Sequence, residues 1–370
     1  MRKLLFLVLL TTGFTLTVNA QDSEQKKKVI ELPQWVKDIK ISGYGMLQYQ
    51  AQNPDEKSEN AFNLRLMRLI MDGKIGDFAW RAQVQGSSNA GPGNPTVMLV
   101  DLFAEWQKYD FFRVKAGQFK RAFTFENPTH PITQGWYSYA TVINSLSGFG
   151  DRSGEKSSGG RDIGLQIQGD FLKNAEGRNL LHYQIGVYNG EGINQKDKDN
   201  RKDIIGGIWF MPIKGVRIGA FGWTGSRGDM TWTDEQGNAH KGSISKNRYC
   251  LSAEYDKDEW TFRAEYIHSQ GWGATKVDSR EVDFSKGDKA DGFYAFGIVP
   301  VIKKKLHAKA RYNMYRPTKE WSTSKTMYEV GLNYFIHKNV QINAEYARVN
   351  DRTLSKHNYN FFDVQLDFRF

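Results

Sequence analysis

The last nine residues, Phe362-Asp363-Val364-Gln365-Leu366-Asp367-Phe368-Arg369-Phe370, alternate without a break: every even position is apolar and every odd one is polar or charged. Successive side chains of a β-strand point to opposite faces, so this stretch reads as a strand with one apolar and one polar face. The pattern recurs upstream. Val340, Ile342, Ala344 and Tyr346 oppose Gln341, Asn343 and Glu345, and Leu306, Ala308, Ala310 and Tyr312 oppose His307, Lys309, Arg311 and Asn313. Trp260, Phe262, Ala264 and Tyr266 oppose Arg263 and Glu265; Val100, Leu102, Ala104 and Trp106 oppose Asp101, Phe103, Glu105 and Gln107.

From residue 41 onward sixteen such segments follow one another, near 40–51, 61–75, 77–86, 97–109, 111–123, 161–171, 180–189, 203–212, 215–226, 247–257, 259–271, 291–303, 305–316, 326–337, 339–350 and 359–370. Alternate connections are short, such as Tyr109–Asp110, Lys303–Lys305 and His337–Asn339, whereas those between them, 124–160, 227–246, 272–290 and 351–358, are long. Trp and Tyr gather at segment ends, among them Trp106, Tyr109, Tyr255, Trp260, Tyr334 and Tyr346. Short turns on one side, long loops on the other and aromatic girdles at both ends predict an all-β, sixteen-stranded antiparallel transmembrane barrel rather than a soluble β-sandwich. Two stretches depart from strict alternation. In 61–75, Arg65 and Arg68 have opposite parity, which predicts a bulge between them. In 203–212, the run Ile204–Met211 is apolar on both faces.

Composition agrees with that class. The 370 residues have 14% aromatics, 36 Gly and 9 Pro, and a mean hydropathy of −0.59. No apolar run after residue 20 is long enough for a membrane helix, but a barrel strand is apolar on one face only and averages to polar. Arg2 and Lys3, the apolar run Leu4–Val18 and the small-residue pattern Val18-Asn19-Ala20 read as a signal peptide over 1–20. Residues 21–38 are then a short periplasmic N-terminal segment, and 39–370 the barrel. Export to the outer membrane of a Gram-negative bacterium follows. Cys250 is the single cysteine, so no internal disulfide forms. The formal charge of +10 falls to +8 once Arg2 and Lys3 are removed. In that compartment it favours lipopolysaccharide or anionic solutes over nucleic acid.

The segment 111–192 carries a resemblance to a known family. Gly117-Gln118-Phe119-Lys120-Arg121-Ala122-Phe123-Thr124-Phe125-Glu126 resembles the GQFK-x-PFS-x-E segment of the phosphate-selective porin O/P family. Gly160-Arg161-Asp162-Ile163-Gly164 resembles its GRD-I/L-G strand start, and Tyr183–Gly192 its Y-x-x-G-V/I-F/Y-N-G-x-G strand and turn. Leu64–Arg68 resembles its basic second strand. The resemblance implies a water-filled channel for passive diffusion of small solutes, anions such as phosphate or polyphosphate among them. It also implies a homotrimer, a third loop folded into the lumen, and Phe370 as the signal read by the barrel-insertion machinery. Two features depart from the family: Ala122 replaces its usual Pro, and the matching loop, Thr124–Gly160, is poor in Lys and Arg.

In such a pore, inward rings of Lys or Arg favour anions and rings of Asp or Glu favour cations. Parity turns Arg113, Lys115, Arg217, Arg263, Lys309, Arg311 and Arg369 inward, against Asp101, Glu105, Glu254, Glu265, Glu329, Glu345, Asp363 and Asp367. Seven bases against eight acids do not argue for an anion channel, and many of these groups are expected to brace the wall as cross-strand ion pairs. Selectivity is therefore expected at the loop. Lys120, Arg121 and Arg161 flank it, with Arg65, Arg68, Arg113, Lys115, Arg263 and Arg311 as further anion-attracting candidates. Trp136, Tyr137 and Tyr139 are the candidates to narrow the path.

Other functions have weaker sequence support. A barrel enzyme needs a nucleophile, a base and an orienting acid held together. The seven His residues are scattered over different segments, and neither G-x-S-x-G nor HExxH occurs. No catalytic residue, metal or cofactor is expected. A sugar-preferring or general diffusion channel and an adhesin are the remaining alternatives, the first because aromatic loops can stack on saccharide rings.

Overall fold

The computed structural model describes residues 39–87, 97–149, 159–271, 275–278 and 281–370, with side chains for all but 275–278. The expected signal peptide and the segment 21–38 lie outside the described residues. Among those described, sixteen strands form the barrel wall: β1 (Lys40–Gln52), β2 (Glu59–Ile75), β3 (Phe78–Gly86), β4 (Val97–Tyr109), β5 (Phe112–Lys120), β6 (Arg161–Lys173), β7 (Asn179–Tyr188), β8 (Asp203–Phe210), β9 (Val216–Thr233), β10 (Ala239–Lys257), β11 (Trp260–Gln270), β12 (Lys289–Ile302), β13 (Leu306–Arg316), β14 (Lys325–His337), β15 (Val340–Asp351) and β16 (Asn358–Arg369).

Each strand pairs antiparallel with its chain neighbours, and β16 returns to β1, with Gln52 opposite Phe361 and Tyr44 opposite Arg369. At this seam the backbones of Gly43 and Phe370 exchange two hydrogen bonds of 2.9 and 3.0 Å. Closure leaves no open sheet edge, the condition for a sheet to stand in lipid. The alternation at the C-terminus has the expected result: Asp363, Gln365 and Asp367 are buried on the inside, while Phe362, Leu366 and Phe368 are exposed on the outside.

The expected irregularities have physical causes. Met46 pairs with Leu66 and Leu47 with Leu64, which leaves Arg65 as the extra residue of a bulge. The bulge resets the parity, so Arg65 and Arg68 both reach inward: Arg65 Nη1 donates to Gln365 Oε1 at 2.7 Å and Arg68 Nε to Gln85 Oε1 at 2.9 Å. In β8, Ile204, Ile208 and Phe210 face outward, while Ile205 is buried and Trp209 half-buried in an apolar cluster inside the barrel. That strand is apolar on both faces because its inner face packs on the loop's apolar cluster at Ile205 and, through one side of Trp209, at Phe125 and Phe221.

The structure corrects the expected boundaries in two places. β5 stops at Lys120 rather than 123, because the chain turns into the lumen from Arg121. Segments 227–246 and 272–290 are not plain loops. β9 and β10 run on to Thr233 and Ala239, and a short hairpin, Thr275–Asp278 and Glu281–Asp283, adds its second strand parallel to Thr231–Thr233. Met230, Ile244, Val282 and Phe284 make a small buried core there. These four residues come from separate segments, so no single segment has enough apolar surface to reveal the unit.

Candidate functional site

Between β5 and β6, the described residues 121–149 and 159–160 lie inside the barrel as an inserted loop. At its base Asn127 Nδ2 donates to the carbonyls of Arg121 and Gly160 at 3.2 and 3.3 Å, and Arg121 N–H donates to Gly160 O at 2.9 Å. Gly160 has φ +75°, and a Cβ on it would lie 1.8 Å from Asn127 Oδ1, so this corner admits only glycine.

Farther in, the loop's backbone is bound to the wall of β10–β16. Phe125 N–H donates to Glu265 on β11 and Tyr137 N–H to Glu345 on β15, each at 2.6 Å. Lys309 and Arg311 on β13 donate to the carbonyls of Gly135 and Ser138 at 2.6 and 2.9 Å, and Arg248 on β10 to Leu146 O at 2.6 Å. An irregular segment inside a barrel is stable only when its peptide groups are paired, and charged wall residues pair many of these. Helix α1 (Thr141–Leu146) buries Val142, Ile143 and Leu146. With Phe123, Phe125 and Trp136 they pack against Phe221, Trp223, Tyr294 and Phe296 of the wall.

The loop fills one side of the barrel and leaves space on the side of β2–β9. Two cavities stand there. One, of about 300 Å³ toward the long-loop end, is lined by Arg65, Met98, Tyr139 and Phe149; the other, of about 350 Å³ toward the short turns, by Phe103, Lys115, His182, Trp209 and Arg217. Arg68 and Arg161 line both. Their side chains therefore stand between the two spaces, and we call the two spaces together the passage.

The charge around the second cavity is one-sided. Arg68, Arg81, Lys115, Lys120, Arg121, Arg161 and Arg217 line it against one carboxylate, Asp101. Some of these bases have partners that do not line the space. Arg81 is bonded to Asp72, Arg121 to Asp162 and Arg217 to Glu254, at 2.7, 2.9 and 2.6 Å. Arg161 meets Asp101 in a two-bond fork at 2.6 and 3.1 Å. Arg68 and Lys120 have no carboxylate partner among the described residues. Lys120 Nζ touches Asn127 Oδ1 at 3.4 Å and lies over the rings of Tyr139 and Phe149.

The structure thus brings Arg65, Arg68, Lys115, Lys120, Arg121 and Arg161 to the passage. It places Arg113 elsewhere, bonded to Asp170 at 2.5 Å. Arg263 and Arg311 are also away from it. Arg263 is paired with Glu254, and Arg311 forks onto Glu329 at 2.6 and 2.7 Å beneath the loop. Both are inward-facing, but the loop covers their side of the lumen. Of the three aromatic candidates, Tyr139 lines the passage. Trp136 is turned away under Phe296 with Arg311 over its ring, and Tyr137 packs on Phe361, so these two anchor the loop rather than narrow the path. Sequence reasoning missed Arg81, whose inward parity with Gln83 and Gln85 was available, and Trp209, hidden in the doubly apolar run of β8.

Glu126 sits where the loop meets the wall. It is fully buried, with Oε2 accepting from Ala140 N–H at 3.4 Å and Oε1 lacking a hydrogen-bond partner. Burial pushes its carboxyl up to about 7; Glu265 adds to the rise, while Arg311 and Arg263 oppose it.

A closed sixteen-stranded barrel, lipid-facing outside and polar inside, with a loop folded beside a passage, defines an outer-membrane porin: a bacterial outer-membrane channel for solute diffusion. The model of the family phosphate-selective porin O and P matches residues 42–191 of this chain, from β1 to just past β7. Solved porins share the fold at low identity. Pseudomonas putida OprB superposes with a TM-score of 0.62 at 9% identity, covering 90% of this chain and 95% of that one. Salmonella typhi OmpF in complex with daunomycin gives 0.61 at 12%, covering 90% and 97%. An anion-selective porin from Comamonas acidovorans gives 0.61 at 11%, covering 90% and 99%. No curated protein sequence matches the chain.

Proposed function

We propose that the channel prefers small anions, inorganic phosphate among them, and passes them by diffusion without catalysis. The observation that carries this reading is the one-sided lining of the second cavity, with Arg68 and Lys120 lacking a carboxylate partner among the described residues. Low-dielectric walls concentrate the field of such cations in the passage, so an anion entering it replaces lost hydration with charge. Arg68 lines both cavities and its Nη1 has no hydrogen-bond partner among the described residues, so it is the guanidinium that can donate to an anion there, while Arg161, forked onto Asp101, adds field rather than free donors. The neutralised wall beneath the loop contributes structure rather than selectivity. Trp136 is buried and Tyr137, half-buried, packs on Phe361, so these two loop aromatics are engaged with the wall, which weighs against their stacking on a sugar.

In this reading the chain is exported by removal of residues 1–20, inserted through its C-terminal Phe370 and assembled as a homotrimer. The test is a planar-bilayer recording of the purified protein under a KCl gradient, followed by addition of phosphate. An anion-selective reversal potential with phosphate block is expected. A cation-selective potential would refute the reading.

A further inference from the structure

The second cavity is more than a ring of charge. Phe103 on β4 and Trp209 on β8, both half-buried, turn toward it from positions whose strand neighbours on the same face include Asp101, Glu105 and Asp203. Trp209 lies parallel to His182 with ring centroids 3.9 Å apart, and Phe125 of the loop meets it edge-on. The cations are set among these rings: Lys115 Nζ is 5.0 Å from the Phe103 centroid, and the Arg217 guanidinium 4.0 Å from that of Phe125.

Hydrated inorganic phosphate gains nothing from apolar ring surface, and leaving that surface against water in a pore is unfavourable. The lining suits a solute that covers rings and meets cations at once. The volume of about 350 Å³ also falls in the range of small-organic-ligand sites, about 300–1,000 Å³.

We propose that this cavity is a binding site for organic anions that carry an acidic group on a flat apolar body, such as aryl phosphates, aryl phosphonates and aromatic carboxylates. The acidic group lies toward Arg68 and Lys120 and the ring toward Phe103 and Trp209. The inference rests on the anion-channel reading and narrows its substrate class.

The test compares phenylphosphonate with methylphosphonate as blockers of chloride current through the purified protein in planar bilayers. The two share their acidic group and differ in the ring. Phenylphosphonate is expected to block at about tenfold lower concentration, the worth of one good aromatic contact. Trp209→Ala is expected to shrink that ratio to about threefold or less. Equal block by the two phosphonates in an anion-selective channel would overturn this inference and leave the anion-channel reading intact. A reversal potential without anion preference would overturn both. The wild-type comparison stands even if the Trp209 variant fails to fold.

Discussion

Arg161 at the start of β6 reaches past β5 to Asp101 on β4 and holds its carboxylate with two hydrogen bonds, 2.6 and 3.1 Å long. The pair therefore staples three consecutive strands at the point where both cavities meet. Each side chain is almost wholly buried, at 2% and 6% exposure, so neither charge can be deprived of its partner cheaply. Asp101→Asn is expected to destabilise the barrel by about 3–5 kcal/mol, the range for breaking a buried pair. It also removes the carboxylate from the cavity lining and is expected to raise anion preference. Thermal unfolding in detergent and the reversal potential read the two effects separately; an unchanged melting temperature would rule out the staple.

Two groups of cations are expected to answer differently to mutation. Arg68→Gln and Lys120→Gln remove charge from the passage and should move the reversal potential toward zero. Arg311→Gln should lower stability, because Glu329 and Ser138 O lose their buried donor, and should leave the reversal potential where it was. If Arg311→Gln shifts selectivity as much as Arg68→Gln does, the division between passage and packed wall is incorrect.

Removing Gln134–Gly148 takes away Trp136, Tyr137, Tyr139 and α1 together, and with them the protein that fills one side of the lumen. Single-channel conductance is expected to rise and anion preference to fall, since the widened path is farther from Arg68 and Lys120. A deletion barrel conducting at the wild-type level would show that the loop does not limit flow.

Glu126 couples the loop's seat to pH. Its carboxyl is pushed from an ordinary 4.5 to about 7 in the folded barrel. Between these values the folded protein keeps a proton that the unfolded chain releases, so stability is greatest at the acid end and falls as pH rises toward 7. The loss levels off above that, at up to about 3 kcal/mol. Glu126→Gln has no proton to release and should flatten the profile, melting higher than wild type at pH 8. Parallel pH profiles for the two proteins would exclude Glu126 as the source.

The strands were legible in the sequence because a barrel wall imposes one rule on every residue: lipid on one side, polar lumen on the other. That rule has a period of two and needs no knowledge of partners, so segment number, closure at Phe370 and even the bulge at Arg65 could be read from local pattern. The tertiary structure alone decided which inward charges are free to act. Parity turned Arg311 and Arg263 inward and pairing with neighbouring carboxylates was expected of them, as Glu329 and Glu254 provide, but the sequence did not show that the inserted loop would cover their side of the lumen. Which groups the inward bases meet is partly set by residues far apart in the chain, as where Arg65 donates to Gln365 or Arg311 to the Ser138 carbonyl. A period-two pattern carries a side chain's direction but not its distance to a carboxylate on another strand, and that distance separates an ion pair in the wall from a cation in the passage.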